Sequence, residues 1–418
     1  MIKLPTTSPY GGYNIRPCNA VYADNAATTQ MRPSALSKYI SVCTSAYGNP
    51  SSLHRDGRAS HETLEWARGV HARHMNVNPD TIYFTSSGTE SNNIAIRGVL
   101  TNARKTSGRT MIVTSAVEHS SVRRTAELAA GEGNFLMARV MADGHVDEAH
   151  FRDVLQTNAN HIALVSIILA QNEVGTLQRI PTLVKIAKSI VGPNLVFHTD
   201  ATQAFGKYYI NPELLGVDIL TASAHKYHGP RGVGILYARH GILDPNMLPI
   251  TGGGQERGCR SGTENVPAIA AAAEALDCMI GNPNVWRDRK YRVMGMRNAI
   301  LEGIVTKIPG SIVNGDVENG LYNLASVTLP SVDGVNIAKF LDDNGVSIGS
   351  GSACSKGKPS ETLLAMGRTP EQIRGVVRIS LSEFNTPEDC RIIVHTMIRA
   401  YLAELASKHG KQTPTLTK

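Results

Sequence analysis

No apolar run in this chain approaches the roughly 18 residues that a membrane-spanning helix needs. The longest, Ile162 to Ala170, is already interrupted by Ser166. The opening stretch, MIKLPTTSPYGGYNIRPC, has prolines at 5, 9 and 17 and lacks the apolar core of a secretory signal, so no export signal is expected. Cysteine is sparse: six residues, at 18, 43, 259, 278, 354 and 390, with no Cys-x-x-Cys pair. That excludes a disulfide framework and a zinc ribbon, and it leaves a reducing, cytoplasmic setting as the expectation. Internal repeats and low-complexity blocks are missing too; only the last dozen residues, SKHGKQTPTLTK, read as a frayed tail.

What is present is an ordinary globular composition, 42% hydrophobic and 18% charged, which excludes a disordered chain. The net charge of +7, spread over 418 residues, reads as a solvated basic surface, and no direct contact with nucleic acid is expected. That length predicts two or three domains with room for a sizeable core.

Short β-branched runs recur at Ile82–Thr85, Met111–Thr114, Ile162–Ile168, Leu195–His198, Ile219–Ala222 and Val233–Tyr237. Helical patterns lie between several of them, at Ser91–Leu100, Val122–Ala130 and Leu183–Val191. This alternation predicts an α/β fold with a mostly parallel sheet covered on both faces, whose ligands bind beyond the carboxyl ends of the strands. The pattern changes near residue 284. A long amphipathic helix over Trp286–Ile308 follows Gly-Asn-Pro-Asn. Then come strands at Ser311–Val313 and Ala325–Leu329, a helix at Val335–Asp343, a strand at Val376–Leu381 and a last helix from Pro387. The expected division is a large α/β domain over 30–283 and a smaller α+β domain built from 1–29 and 284–418.

Several segments carry chemistry, and each also has a purely structural reading. Lys226, in SAHKYHGPRGVG, follows a strand and precedes a glycine-rich turn. A desolvated lysine there loses its proton and becomes a Schiff-base nucleophile, whereas an isolated lysine snorkels. The glycines of that turn miss the Gly-x-Gly-x-x-Gly order and precede a strand, which disfavours a dinucleotide fold. Asp200, in HTDATQAFGK, ends a strand, where it can hold a pyridinium nitrogen protonated or cap a helix. In FTSSGTESNN, Gly88 and Thr89 open a helix whose free N–H groups suit a phosphate; Ser87 to Glu90 also fits a capping box. His119, in VEHSSV, sits on the same sheet edge, placed to stack on an aromatic cofactor and move protons, or to pack structurally. Cys354, in GSGSACSKGKPS, lies in a glycine-rich, electropositive loop that favours a thiolate. Arg378, inside VRISLS, needs an anionic partner, either a substrate carboxylate or a structural Asp or Glu.

In this order the segments resemble the cysteine desulfurases of the NifS/IscS type, class V members of the fold type I pyridoxal 5'-phosphate (PLP) enzymes. The resemblance runs from about Tyr22 to the C-terminal helix and is carried by YADNAATT, YGNPSSLHRDGR, TSSGTESNN, VEHSSV, AQNEVGT, HTDATQ, SAHKYHGPRG, GGGQERGCRSGTENVP, GSGSAC and VRISLS. It implies a PLP fold with a seven-stranded-type sheet and the conversion of L-cysteine to L-alanine, with sulfur passing to an enzyme persulfide. It also implies roles. Lys226 would carry PLP, His119 would stack on the ring and serve as acid–base, Asp200 would pair with the pyridine nitrogen, and Gln203 would bond the ring oxygen. Gly88, Thr89, Ser223 and His225 would hold the phosphate, with Thr263 reaching in from the second subunit of a homodimer. Asn172 and Arg378 would bind the cysteine carboxylate, with Asn25 nearby, and Cys354 would take the sulfur. The partner implied is a sulfur-acceptor protein, serving iron–sulfur cluster assembly or tRNA thiolation. No permanent metal is expected, only a transient iron–sulfur species at Cys354.

Departures from the family pattern touch other properties. The loop after Cys354, SKGKPSETLLAMG, is shorter than in the longer-looped members, which bears on acceptor choice and rate. SLSEFNTPED replaces a commoner Ser-Leu-Gly-Arg form, and Cys259 is a nonstandard occupant of its motif, read as a packed cysteine. Selenocysteine lyase is the neighbouring activity, since selenium leaves more readily. An aminotransferase would have no use for GSGSAC, and a non-catalytic sulfur carrier would have lost Lys226 or Asp200.

Overall fold

The structure, a computed structural model, describes residues 20–350 and 359–408. Cys18, Cys354 and the tail beyond Lys408 lie outside them.

The larger sheet has seven strands, in the order Ile82–Thr85, Gly234–Ala238, Ile219–Ser223, Val196–Asp200, Ile162–Ser166, Met111–Ser115, Phe135–Ala138. All run in one direction except Gly234–Ala238, which pairs antiparallel with both its neighbours. The interior strands Ile162–Ser166, Ile219–Ser223 and Gly234–Ala238 are buried along their whole length, as expected where helices cover both faces. Six of the seven strands match the β-branched runs of the sequence. Phe135–Ala138 does not: it is a half-exposed edge strand without a β-branched residue, so neither periodicity nor propensity marks it.

The helices on this sheet follow their caps. Ser87 accepts from the Glu90 N–H at the start of Gly88–Thr106, and His119 accepts from the Ser121 N–H at the start of Ser120–Ala130. The alanine-rich helix Val266–Ile280 is buried on nearly every face and packs against Pro33–Ser45 and Arg55–Met75. Its small side chains allow the backbones to approach, and uniform burial removes the amphipathic stripe that would reveal it in the sequence.

A second, four-stranded antiparallel sheet runs Gly349–Ser350, Val376–Ser380, Leu324–Thr328, Ile312–Asn314. The helices Pro283–Lys307, Gly334–Asp343 and Pro387–Lys408 enclose an apolar cluster centred on Ile300, Val327, Ile337 and Ile393. The long helix begins where Asn282 caps it, three residues before the predicted start region. Ser407 and Lys408, read from sequence as tail, belong to the last helix. The N-terminal strand Val21–Tyr22 pairs in parallel with Val346–Ser347, and Asp24 bridges to Ser380, so the segment after Tyr22 is drawn across the mouth of the large sheet. Among the described residues no helix is long and apolar enough to cross a membrane.

Candidate active site

Five strands of the large sheet end on one edge, at Thr85, Ser115, Ser166, Asp200 and Ser223. The turns beyond them, together with Asp24–Ala27 and Arg378 from the smaller sheet, close a cavity of about 410 Å³. This is where an open α/β sheet places its ligands. Gly88, Thr89, His119, Asn172, Asp200, Gln203, Ser223, His225, Lys226 and Arg378, all singled out in the sequence, line it together.

Asp200 is 3% exposed and lies on the cavity floor. Its Oδ2 accepts from Asn92 Nδ2 at 2.8 Å and its Oδ1 from the Thr202 N–H at 2.9 Å. Asn92 is fixed in turn, because its Oδ1 accepts from the Thr221 hydroxyl at 2.5 Å, and His198 Nε2 lies 3.1 Å from that hydroxyl. Burial pushes His198 down to about 4, so it is a neutral link near pH 7. Asn92 Nδ2 also donates to Ser121 Oγ at 2.8 Å, and Ser121 Oγ lies 2.7 Å from His119 Nδ1. His119 Nδ1 further accepts from the Ser121 N–H at 3.2 Å, which leaves Nε2 as the nitrogen that carries the ring proton. Burial lowers the proton affinity of His119, Asp200 opposes that, and Lys226 reinforces it. The structural reading of His119 holds, since one nitrogen caps a helix, and the residue also lines the cavity.

Lys226 Nζ donates to the Ala26 carbonyl at 2.6 Å and to the Ala27 carbonyl at 2.8 Å. Gln203 Nε2 donates to the same Ala26 carbonyl at 2.8 Å. His225 Nδ1 sits 3.1 Å from Thr28 Oγ1, and burial, followed by Lys226 and two other cations, pushes it down to about 4. At the helix start, the Glu90 carboxylate accepts from the Ser86 N–H at 2.9 Å and from Arg260 Nε at 2.8 Å. Only half of the predicted capping box forms, since Glu90 turns away from Ser87 toward Arg260.

Arg378 finds the structural acidic partner of its sequence readings in Asp24. Nη2 pairs with Asp24 Oδ1 at 2.8 Å and Nη1 donates to the Asn172 carbonyl at 3.0 Å, while the buried Nε has no partner among the described residues. Asn172 Oδ1 is likewise buried without a partner among them.

Two candidates stand apart from this cavity. Asn25 is buried beside it, its Nδ2 donating to the Ser380 carbonyl at 2.8 Å, because the turn after Asp24 carries its side chain to the seam with the smaller sheet. Thr263 is exposed and does not line its own chain's cavity. Cys354 lies outside the described residues. Cys259 is packed as expected, 2% exposed, with burial pushing its thiol up to about 11. Asp24, Asn92, Ser121 and Thr202 line the cavity and went unassigned, although each stands inside a recognised motif: YADNAATT, TSSGTESNN, VEHSSV and HTDATQ.

A pyridoxal phosphate fits these residues. A carboxylate buried on the cavity floor, bonded only by an amide and a backbone N–H, suits a protonated ring nitrogen. A Cβ at Gly88 would come within 3.1 Å of Thr202 Oγ1, so only glycine keeps the helix start open at that side of the cavity. Fold and site thus define a PLP-dependent α/β enzyme. The aminotransferase class-V family model matches residues 21–393, and the chain belongs to that family. It is similar to the NifS/IcsS protein homolog of Lactobacillus delbrueckii subsp. bulgaricus, 39% identical over 88% of this chain and 94% of the relative. It is also similar to the cysteine desulfurase IscS of Methanosarcina thermophila, 36% identical over 88% of this chain and 89% of the relative. Among solved structures, a NifS-like protein superposes with a TM-score of 0.82 at 32% identity, covering 91% of this chain and 98% of that one.

Proposed function

We infer that this chain is a PLP-dependent cysteine desulfurase, converting L-cysteine to L-alanine and transferring the sulfur to Cys354. The observation that carries the reading is the convergence of Lys226, Asp200, His119 and Arg378 on one cavity, in a chain whose relatives are named cysteine desulfurases. Lys226 holds the cofactor, Asp200 keeps the ring nitrogen protonated, and Gln203 serves the ring oxygen. Gly88, Thr89, Ser223 and His225 hold the phosphate; a neutral His225 still donates one N–H. Bound there, PLP supplies the electron sink for the charge left when the substrate α-proton departs.

Arg378 and Asn172 take the substrate carboxylate. The unpaired Nε of Arg378 fits that role, and the Asp24 pair fixes the plane of the guanidinium. Asn25, bonded to Ser380, acts at most by holding that turn in place. Lys226 Nζ takes up and returns the proton, and His119 presents its Nε2–H to the cavity as a donor. The Cys354 thiolate attacks the substrate sulfur: an S–S bond forms as the C–S bond breaks, and the carbon skeleton gains a proton to end as L-alanine. The transfer needs no external oxidant or reductant, since the sulfur is oxidised as the carbon is reduced.

The smaller domain, 1–29 with 284–418, supplies Arg378 and Cys354 to the large domain's cavity. The chain acts as a homodimer; exposed large apolar side chains, among them Tyr47 at 71% and Leu53 at 90%, support that reading. Thr263 would then reach the partner's phosphate site. The sulfur passes on to an acceptor protein in iron–sulfur cluster assembly or tRNA thiolation. The test is sulfide release from L-cysteine with a reductant present, comparing wild type with Cys354→Ala. Loss of turnover with retained yellow colour is expected; turnover unaffected by the substitution would overturn the assignment.

A further inference from the structure

The described backbone stops at Ser350 and resumes at Pro359, and both ends are tied where Asn172 and Arg378 meet. On one side Gly349 is paired with Arg378 itself and Ser350 with Val377, so closely that a Cβ at Gly349 would stand 3.0 Å from Asp24 Oδ1. On the other side the short helix Glu361–Ala365 is held by the turn that carries Asn172. Glu173 Oε2 accepts from the Ser360 hydroxyl at 2.5 Å, and its Oε1 from the Thr362 hydroxyl at 3.3 Å. Gln171 closes the set. Its Nε2 donates to Thr362 Oγ1 at 3.0 Å, while its Oε1 accepts from the N–H groups of Glu173 and Val174 at 2.5 and 2.9 Å. Ser360 and Thr362 are each 4% exposed, and Leu363 and Met366 share a small apolar cluster with Val174.

We propose that Glu173 is a positioning residue for the sulfur-transfer step: it grips Ser360 and Thr362, and so fixes the C-terminal anchor of the segment bearing Cys354 beside Asn172 and Arg378. The inference deepens the desulfurase reading and rests on it. Cys354 stands four residues after Ser350 and six before Ser360. Chain of that length reaches at most about 14 Å from the first anchor and about 22 Å from the second. Covalent geometry alone thus confines the thiol to the space both anchors allow, and the place of Ser360 sets that space relative to Arg378. Holding a nucleophile near the atom it attacks is worth orders of magnitude in rate. The chemistry of the grip is complete. A carboxylate only accepts, and each hydroxyl has one proton to give. Both protons go to Glu173, because Ser360 Oγ accepts from the Leu363 N–H at 3.2 Å and Thr362 Oγ1 accepts from Gln171. Burial raises the proton affinity of Glu173, and Ser360, Arg378 and Thr362 oppose that. Glu173 does not line the cavity, whereas Asn172, its neighbour, does, and the Asn172 carbonyl accepts from Arg378 Nη1. One turn therefore serves the substrate site with one residue and the anchor with the next.

The test is a single turnover of the PLP-loaded full-length protein with L-cysteine, read by two signals. Cofactor absorbance reports substrate binding, and the persulfide on Cys354 is trapped by alkylation and quantified by mass spectrometry. In Glu173→Gln one hydroxyl loses its acceptor. Persulfide is expected to form roughly 10- to 100-fold more slowly, while the L-cysteine concentration that half-saturates the absorbance change stays within about twofold of wild type. Ser360→Ala combined with Thr362→Val removes the donors instead and should slow persulfide formation to a similar degree. Adding Glu173→Gln to that pair should cost nothing more, since the interaction is already gone. Persulfide formed at the wild-type rate in Glu173→Gln overturns the inference. A half-saturating concentration that rises as far as the rate falls also overturns it, because Glu173 would then act on the substrate site. Losses that multiply in the triple variant do the same, since Glu173 would not be acting through the two hydroxyls. No persulfide on Cys354 of the wild type overturns the desulfurase reading itself.

Discussion

Asn92 Nδ2 bridges Asp200 Oδ2 and Ser121 Oγ, each at 2.8 Å, so one amide ties the buried carboxylate of the cavity to the residue that orients His119. Its Oδ1 is held by Thr221, which fixes the flip of the amide. Substituting Asn92→Leu keeps the volume but removes the donor to a buried carboxylate. A hydrogen bond to a charged group is worth about 1.5–3 kcal/mol, so kcat/KM should fall roughly 10- to 100-fold. PLP should also dissociate more readily, followed by loss of its visible absorbance on dilution. Unchanged kinetics would show that Asp200 is held by Thr202 alone.

How much of this was legible beforehand divides along physical lines. Lys226, Asp200, His119 and Gly88 announce themselves because their motifs sit at strand ends, where β-branched runs stop and small residues turn the chain. Asn92 and Ser121 do not, because a helical polar residue one turn in from a cap looks the same whether it faces a buried carboxylate or water. The edge strand Phe135–Ala138 and the alanine-rich helix Val266–Ile280 were hidden for opposite reasons, one too exposed to alternate and the other too buried to be amphipathic. The reversed strand Gly234–Ala238 carries no local mark of its direction; only pairing defines it.

The pairing of Arg378 with Asp24 makes a separate prediction. Nη2 is committed to Asp24 and Nη1 to the Asn172 carbonyl, so a lysine at 378 could not keep both and still face a carboxylate. Arg378→Lys should raise KM for L-cysteine at least tenfold with a smaller change in kcat, while bound PLP stays stoichiometric. Asp24→Asn should produce a milder rise, since the guanidinium plane loses its anchor but not its charge. Steady-state kinetics with cofactor content measured spectroscopically separates these outcomes.

Stability of the loop that carries Thr263 rests on a buried ion pair. Arg68 is 2% exposed and its two terminal nitrogens meet the Glu256 carboxylate at 2.8 and 2.9 Å, while Glu256 also accepts from the Phe84 N–H. Glu256 and Arg257 are held at φ of 48° and 54°, a left-handed pair that non-glycine residues adopt only when contacts fix it. Glu256→Gln leaves the buried guanidinium only the half-exposed Glu65, 3.0 Å from its Nε, and should cost up to about 3 kcal/mol in urea unfolding. The double variant Arg68→Met with Glu256→Gln should cost less than Glu256→Gln alone, because no unpaired charge remains. If the double variant is the less stable of the two, packing rather than charge dominates there.

Acid should destabilise the fold before its ordinary carboxylates titrate. His71, His198 and His228 are buried and His225 is partly so, and desolvation pushes each down to about 4 from an unfolded value of about 6.5. Between those values the unfolded chain binds three to four protons that the folded chain refuses, the partly exposed His225 counting least, so stability falls as pH falls through that window. Glu118 acts in the opposite sense. Burial pushes it up to about 8, so the folded chain holds one proton there that the unfolded chain has lost above its ordinary carboxylate range. The net difference is about two to three protons, or roughly 3–4 kcal/mol of lost stability per pH unit between about pH 6 and 5. Urea midpoints measured across that interval should fall steeply. His228→Asn, whose side chain can still bond the Gln30 carbonyl that His228 Nδ1 meets at 2.8 Å, should flatten the slope by about one proton. A slope unchanged in that variant would mean that His228 becomes protonated within the folded chain.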